Sequence, residues 1–138
     1  MAKIRLVNAW DRGSADRGLI DESQVRAIEI EALVDTGATT LALPAEVVER
    51  LELTELRRRN VRLADGSIRE VPYVGNLWIE ILGRGMSCDA LVLPRGATAL
   101  IGQIPLEGLD LIVDPKSRDV AVNPASPDMP LYDLLRAG

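Results

Sequence analysis

The sequence has no histidine, no phenylalanine, one cysteine and only 3% aromatic residues in 138 positions. Without histidine, the Cys–His and Ser–His–Asp devices that activate a nucleophile are excluded. Zinc sites built on His and Cys are excluded with them. Cys88 alone cannot close an intrachain disulfide, which fits a reducing compartment, and it reads as a small buried core residue. So few aromatics argue against stacking on nucleic-acid bases. A net charge of −5 opposes broad polyanion binding, although Arg57-Arg58-Arg59 forms one basic run, expected as a solvated loop face. No stretch approaches the ~20 apolar residues of a membrane span. The first residues, MAKIRLVNAWDRG, lack the apolar core and cleavage site of a secretory signal, so the expected location is the cytoplasm.

What the chain does have is aliphatic residues, in a composition that is 47% hydrophobic. That is enough for one core of Leu, Ile, Val and Ala, so residues 1–138 are expected to form a single domain. Ile4–Ala9 alternates weakly as a strand, and Asp11–Asp21 reads as a charged loop. VRAIEIEALV (Val25–Val34) alternates apolar and charged residues and then turns continuously apolar, as a half-exposed strand entering a core does. Thr39–Leu43 reads as the next strand, and Pro44 opens a short helix over Ala45–Leu51. In NVRLADGSIREVPYV (Asn60–Val74), Asp65-Gly66 sits between two alternating segments, a strong hairpin signal. Leu77–Leu82 is expected to turn at Gly83–Gly85 and pair with Cys88–Leu93. Ala97–Gly102 reads as an apolar run, followed by a helical turn from Pro105 to Gly108 and a strand over Leu109–Val113. The tail Asn123–Gly138 ends in MPLYDLLRA, readable as a last short helix or an arm for a partner. The sum is an all-β fold of seven to nine short strands, mostly antiparallel, closed or nearly closed, with one or two short helices.

The chemistry is concentrated in ALVDTGATT (Ala32–Thr40), where an apolar strand delivers Asp35 with no basic neighbour. One carboxylate is a poor peptide hydrolase, because one group must take a proton from water while another supplies one. Two carboxylates that share a proton meet that need, since repulsion keeps one ionised and the other neutral over the same pH range. A twofold dimer supplies the second carboxylate, because a residue near the axis meets its own copy. Around it, Thr36 can hydrogen-bond across the axis, Gly37 lets its N–H approach the carboxylate, and Ala38 brings no hydroxyl. A weak internal echo links EALVDTGATTLALPAEVVERL to TALIGQIPLEGL: apolar strand, glycine turn, Pro and short helix.

Val34-Asp35-Thr36-Gly37-Ala38 resembles the active-site motif of the retropepsin-like aspartic proteases, here of the bacterial single-domain type. The resemblance continues through the hairpin at the place of the flap, through LWIEILG (Leu77–Gly83), and into ALIGQIPLEGLDLIVD (Ala99–Asp114), covering about Ile28–Pro115. It implies a closed acid-protease β-barrel, active as a homodimer, that hydrolyses extended peptides with apolar residues near the cut. Asp35 of each subunit would hold the attacking water; Thr36, Gly37 and Ala38 would shape the loop. Leu63, Ala64, Asp65, Gly66, Ser67 and Ile68 would form the flap, and Ile101 and Gly102 would lie structurally beneath the active site. No metal or cofactor is implied, and neither nucleic acid nor membrane as partner. The flap tip has one glycine where viral flaps are glycine-rich, and Gln103 stands where viral members usually carry an arginine paired with an acid. The viral terminal-strand dimer sheet is expected to be rebuilt from Ile4–Ala9 or Val120–Val122. The alternative of another class is a dimeric peptide-binding or scaffolding module with the same fold and an inert site; a third is a protease that trims only itself or one partner.

Overall fold

Alternation along the first strand sets up the core. In β1 (Ala2–Asn8), Ala2, Ile4 and Leu6 are buried while Lys3 and Arg5 face solvent. β1 pairs antiparallel with β2 (Ala27–Val34) on one side and with β6 (Leu77–Ile81) on the other. The chain continues through β3 (Leu41–Pro44), α2 (Ala45–Leu51), β4 (Thr54–Arg62), β5 (Ile68–Gly75), β7 (Arg84–Ser87), β8 (Ala90–Leu93), β9 (Ala99–Ile101), α3 (Gln103–Gly108), β10 (Leu111–Val113) and β11 (Val120–Val122), with α1 (Ala9–Asp16) after β1. The computed structural model describes residues 1–134.

Nine strands form one curled sheet in the order β4-β5-β8-β3-β9-β2-β1-β6-β7, and β10 pairs only with β11. The hydrogen-bonded order is linear, so the expected closed barrel is instead an open, curled half-barrel with β4 and β7 as edges. The fold is mostly β, with eleven strands and three short α-helices among the described residues, more of each than expected. Its core is aliphatic throughout, including Ile4, Leu6, Leu43, Ile79, Ile101 and Leu109. Cys88 is buried beside them, and burial pushes its thiol up to about 11, away from the reactive thiolate.

Several expectations need correction. Asp11–Asp21 is not all loop: Ala9–Asp16 is helical, because the Asn8 side chain caps it by accepting from the Asp11 N–H at 3.1 Å. Buried Asn8 also donates to the Leu51 carbonyl at 2.8 Å. Asp11 takes two side-chain bonds from Arg26, at 2.7 and 2.9 Å, which hold its carboxyl below the usual range. Leu77–Ile81 pairs with Arg84–Ser87 rather than with Cys88–Leu93. The turn is Leu82-Gly83, with φ of 52° and 79°, the two-residue connection that matches strand twist. Ala90–Leu93 is thereby released to pair parallel with β3 and antiparallel with β5. Arg57–Arg59 lies within β4, not in a loop. Ile4–Ala9 cannot supply a dimer sheet, since both edges of β1 are occupied, whereas Val120–Val122 is paired with β10 on one edge only. Of the suggested terminal helix, residues through Leu134 are not helical and residues 135–138 lie outside the described residues.

The segment after β11 is tied down by a polar hub. Buried Arg84 donates to the carbonyls of Leu109 at 3.1 Å, Asp110 at 2.9 Å and Ser126. The Asp110 carboxylate accepts from the Ser126 hydroxyl, from Asn123 Nδ2 at 3.0 Å and from the Leu131 N–H at 3.0 Å. These donors, Ser126 foremost, hold Asp110 at about 2. That lies below the ordinary value of about 3.9, so the contribution is whole above pH ~4 and is lost as pH falls through about 2. Amide resonances of Asn123–Leu131 followed by NMR are expected to shift over that window, and the shift should vanish in Asp110→Asn. A flat response in the parent protein would mean the hub does not anchor the segment.

Candidate active site

Strand β9 lies between β2 and β3, pairing parallel with β2 (Val34 opposite Ile101) and antiparallel with β3 (Ala42 opposite Leu100). The chain leaving β2 must therefore arch across the end of β9 to return as β3. That arch is Asp35–Thr40. The Asp35 N–H donates to the Ile101 carbonyl at 3.0 Å, and the Ala38 N–H to the Asp35 carbonyl at 3.1 Å. Asp35 is half-buried; Oδ1 accepts from the Gly37 N–H at 2.9 Å. Thr36 and Gly37 are exposed at the crest, and Ala38 is half-buried.

Helix α3 closes the arch from below. Its first N–H groups have no partner within the helix. Gln103 N–H instead donates to the Ala38 carbonyl at 2.9 Å, and Ile104 N–H to the Thr39 carbonyl at 2.8 Å. Gln103 Nε2 also donates to the Thr36 carbonyl at 2.9 Å. The amide thus replaces an ion pair by a direct tie to the loop, a role that sequence reasoning missed when it treated Gln103 only as a lost arginine. Buried Gly102 sits against the backbone of Ala38 and Thr40, and Ile101 is fully buried under the arch. The two halves of the internal echo match only in part: the second runs from β9 through Gly102 directly into α3, whereas in the first β3 stands between the glycine-bearing turn and α2.

The hairpin β4–β5 rises beside the arch. Its tip is exposed from Leu63 to Ile68 and turns at Gly66, with φ of 85°. Asp65 braces the turn by accepting from the Ser67 N–H at 2.9 Å and the Ser67 hydroxyl at 2.6 Å, and the hydroxyl first of all lowers its pKa. Between hairpin and arch runs a cleft in two connected parts. One, of about 510 Å³, is bounded by Gly37–Thr40, Arg59–Arg62 and Ile104. The other, of about 600 Å³, is bounded by Ala38–Thr40, Val61–Leu63, Val71 and Leu91–Leu93. The lining starts at Gly37, so Asp35 stands at the margin rather than on the wall.

The sequence-level site residues thus fall in two groups: Asp35, Thr36, Gly37, Ala38, Ile101 and Gly102 share one hydrogen-bonded arch, while residues 63–68 form a separate tip across the cleft. Arg59, Arg69 and Tyr73 of the cleft wall were missed. The alternation Arg57, Arg59, Val61 in TELRRRNVR was the available signal. Among the described residues, no three His, Cys, Asp or Glu side chains gather as a metal would need. No helix there is long and apolar enough to cross a membrane.

No curated protein matches the chain. A family model described as aspartyl protease matches residues 21–104, from ahead of β2 to the first turn of α3. That is more than half of the chain and takes in the arch, the hairpin and the strand beneath, and by it the chain belongs to the aspartyl proteases of the retropepsin-like clan.

Proposed function

We propose that the protein is an aspartic endopeptidase that works as a homodimer, with residues 1–138 as one domain. The observation that carries this reading is the setting of Asp35. It is half-buried, oriented by the Gly37 N–H, and mounted on an arch beside a cleft roomy enough for an extended peptide. In the dimer, two Asp35 carboxylates share one proton across the axis. The ionised one takes a proton from water as it attacks the scissile carbonyl, and the protonated one donates to the carbonyl oxygen. Exposed Thr36 is free to bond its counterpart in the partner subunit and lock the two arches. Gly37 and Ala38 leave the crest low, and Ile101 and Gly102 support it from below.

The hairpin tip, Leu63-Ala64-Asp65-Gly66-Ser67-Ile68, closes over the peptide, whose backbone adds to strand edges in the cleft. Val61, Val71 and Leu91 offer apolar surface to the residues beside the cut. Exposed Ile104, next to the arch, suits burial against a second copy. No cofactor takes part, and the lone buried thiol of Cys88 suits the cytoplasm. The test is peptide-library cleavage read by mass spectrometry over a range of protein concentrations, with sedimentation in parallel. Specific activity is expected to rise with the dimer fraction. A stable dimer that binds peptides but never cuts them would overturn the enzymatic reading in favour of a binding module.

A further inference from the structure

The hairpin wall of the cleft is cationic. In the β4–β5 ladder Arg57 lies opposite Tyr73, Arg59 opposite Val71 and Val61 opposite Arg69, so these six side chains share one face. That face looks into the cleft, for Arg59 and Tyr73 line its first part and Arg69 and Val71 its second. The guanidinium carbons of Arg57 and Arg59 lie 5.8 and 5.5 Å from the Tyr73 ring centroid, which limits their freedom. On the outer face, Arg58 is paired with Glu70 at 3.1 Å and Glu55 at 3.8 Å. Arg59 and Arg69 have no such pairing among the described residues, and no Asp or Glu lines either part of the cleft. This occurs in a chain whose net charge is −5.

Guanidinium is permanently charged and presents a planar fork that matches a carboxylate. Two such forks, without an acidic partner among the described residues and facing a space that fits an extended chain, are complementary to a ligand carrying carboxylates. Alternate side chains of an extended peptide point to the same wall, so acidic residues spaced along it reach the hairpin while others pack on the apolar floor. We propose that the cleft selects acidic peptides, with Arg59 and Arg69 binding Asp or Glu side chains of the segment it holds. The inference rests on the peptidase reading for its chemistry but not for its binding selectivity.

The experiment uses matched peptides that share an apolar cut site and differ only in Glu or Gln at the flanking positions. Cleavage is measured with the parent protein, and binding with Asp35→Asn by fluorescence anisotropy of labelled peptides. The Glu peptides are expected to be favoured about fivefold per contacted residue, and less so in high salt. Arg59→Gln combined with Arg69→Gln should remove the preference, whereas Arg58→Gln, which deletes one such charge from the outer face, should keep it. An unchanged melting temperature in each variant excludes misfolding. Equal cutting and equal binding of Glu and Gln peptides would overturn the proposal and leave the peptidase reading standing. Equal loss of preference in Arg58→Gln would also overturn it. Preferential binding of Glu peptides without any cleavage would uphold it and sink the peptidase reading.

Discussion

Replacing Asp35 by Asn is expected to lower kcat by about 10^2- to 10^4-fold, the scale of effect of a positioned acid–base group, while the protein stays folded with its self-association unchanged. The side chain keeps its shape, and the amide oxygen can still accept from the Gly37 N–H that now bonds Oδ1 at 2.9 Å. What is lost is the ability to share and transfer a proton. A mixing experiment sharpens the claim. If each site takes one Asp35 from each subunit, equal amounts of parent and variant after subunit exchange leave about a quarter of the dimers with two carboxylates. Activity should then fall to about a quarter rather than to a half. A linear decline with parent fraction would assign catalysis to one chain alone, and full activity of the variant would remove Asp35 from the mechanism.

Gly102→Ala is expected to cost about 2–3 kcal/mol and to lower activity by roughly 100-fold in whatever fraction remains folded. Gly102 has φ of −97°, so its backbone conformation suits any residue and the constraint is space alone. An added Cβ would meet Thr40 O at 2.5 Å, Ala38 O at 2.6 Å and Thr40 N at 2.7 Å, all backbone atoms of the arch. Nothing there can rotate away. The arch must lift, which strains the bond from Gln103 N–H to the Ala38 carbonyl and displaces the loop that carries Asp35. Gly13→Ala is the control, because its Cβ has nothing within 4 Å and it lies in α1, where alanine favours the helix. Thermal unfolding should separate the two variants by several degrees, Gly13→Ala being unchanged or slightly higher. Equal stability would mean that the arch is free to move away from β9.

The parts of this structure legible in the sequence are those with a local cause. The alternation of Ala27–Val34, the Asp65-Gly66 turn and the Pro44-led helix each announce themselves within ten residues, and all are present. D-T-G could be recognised as a strand-to-loop carboxylate because apolar Leu33 and Val34 precede it. What escaped depends on distant partners. Helix α1 owes its start to Asn8, which is itself held by Leu51 and Asn76. Strand β8 was given the wrong neighbour because the turn starts at Leu82, a residue whose left-handed φ of 52° composition does not advertise. The link from Gln103 to Thr36 spans 67 positions and has no local signature. Closure was overread as well, since a count of short strands cannot tell an open curled sheet from a barrel.

Strand order along the chain also bears on when the site comes into being. The arch leaves β2 at residue 35, but the strand beneath it, β9, begins only at Ala99, and the carbonyls of Ala38 and Thr39 find their donors only at Gln103 and Ile104. A chain emerging from the ribosome at ~5–20 residues per second carries the D-T-G segment for several seconds before its supports exist. Closing so long a loop is also slow compared with forming the neighbouring hairpin. The carboxylate is thus made early and positioned late, since its arch cannot take its supported form until Gln103 and Ile104 have been added to the chain.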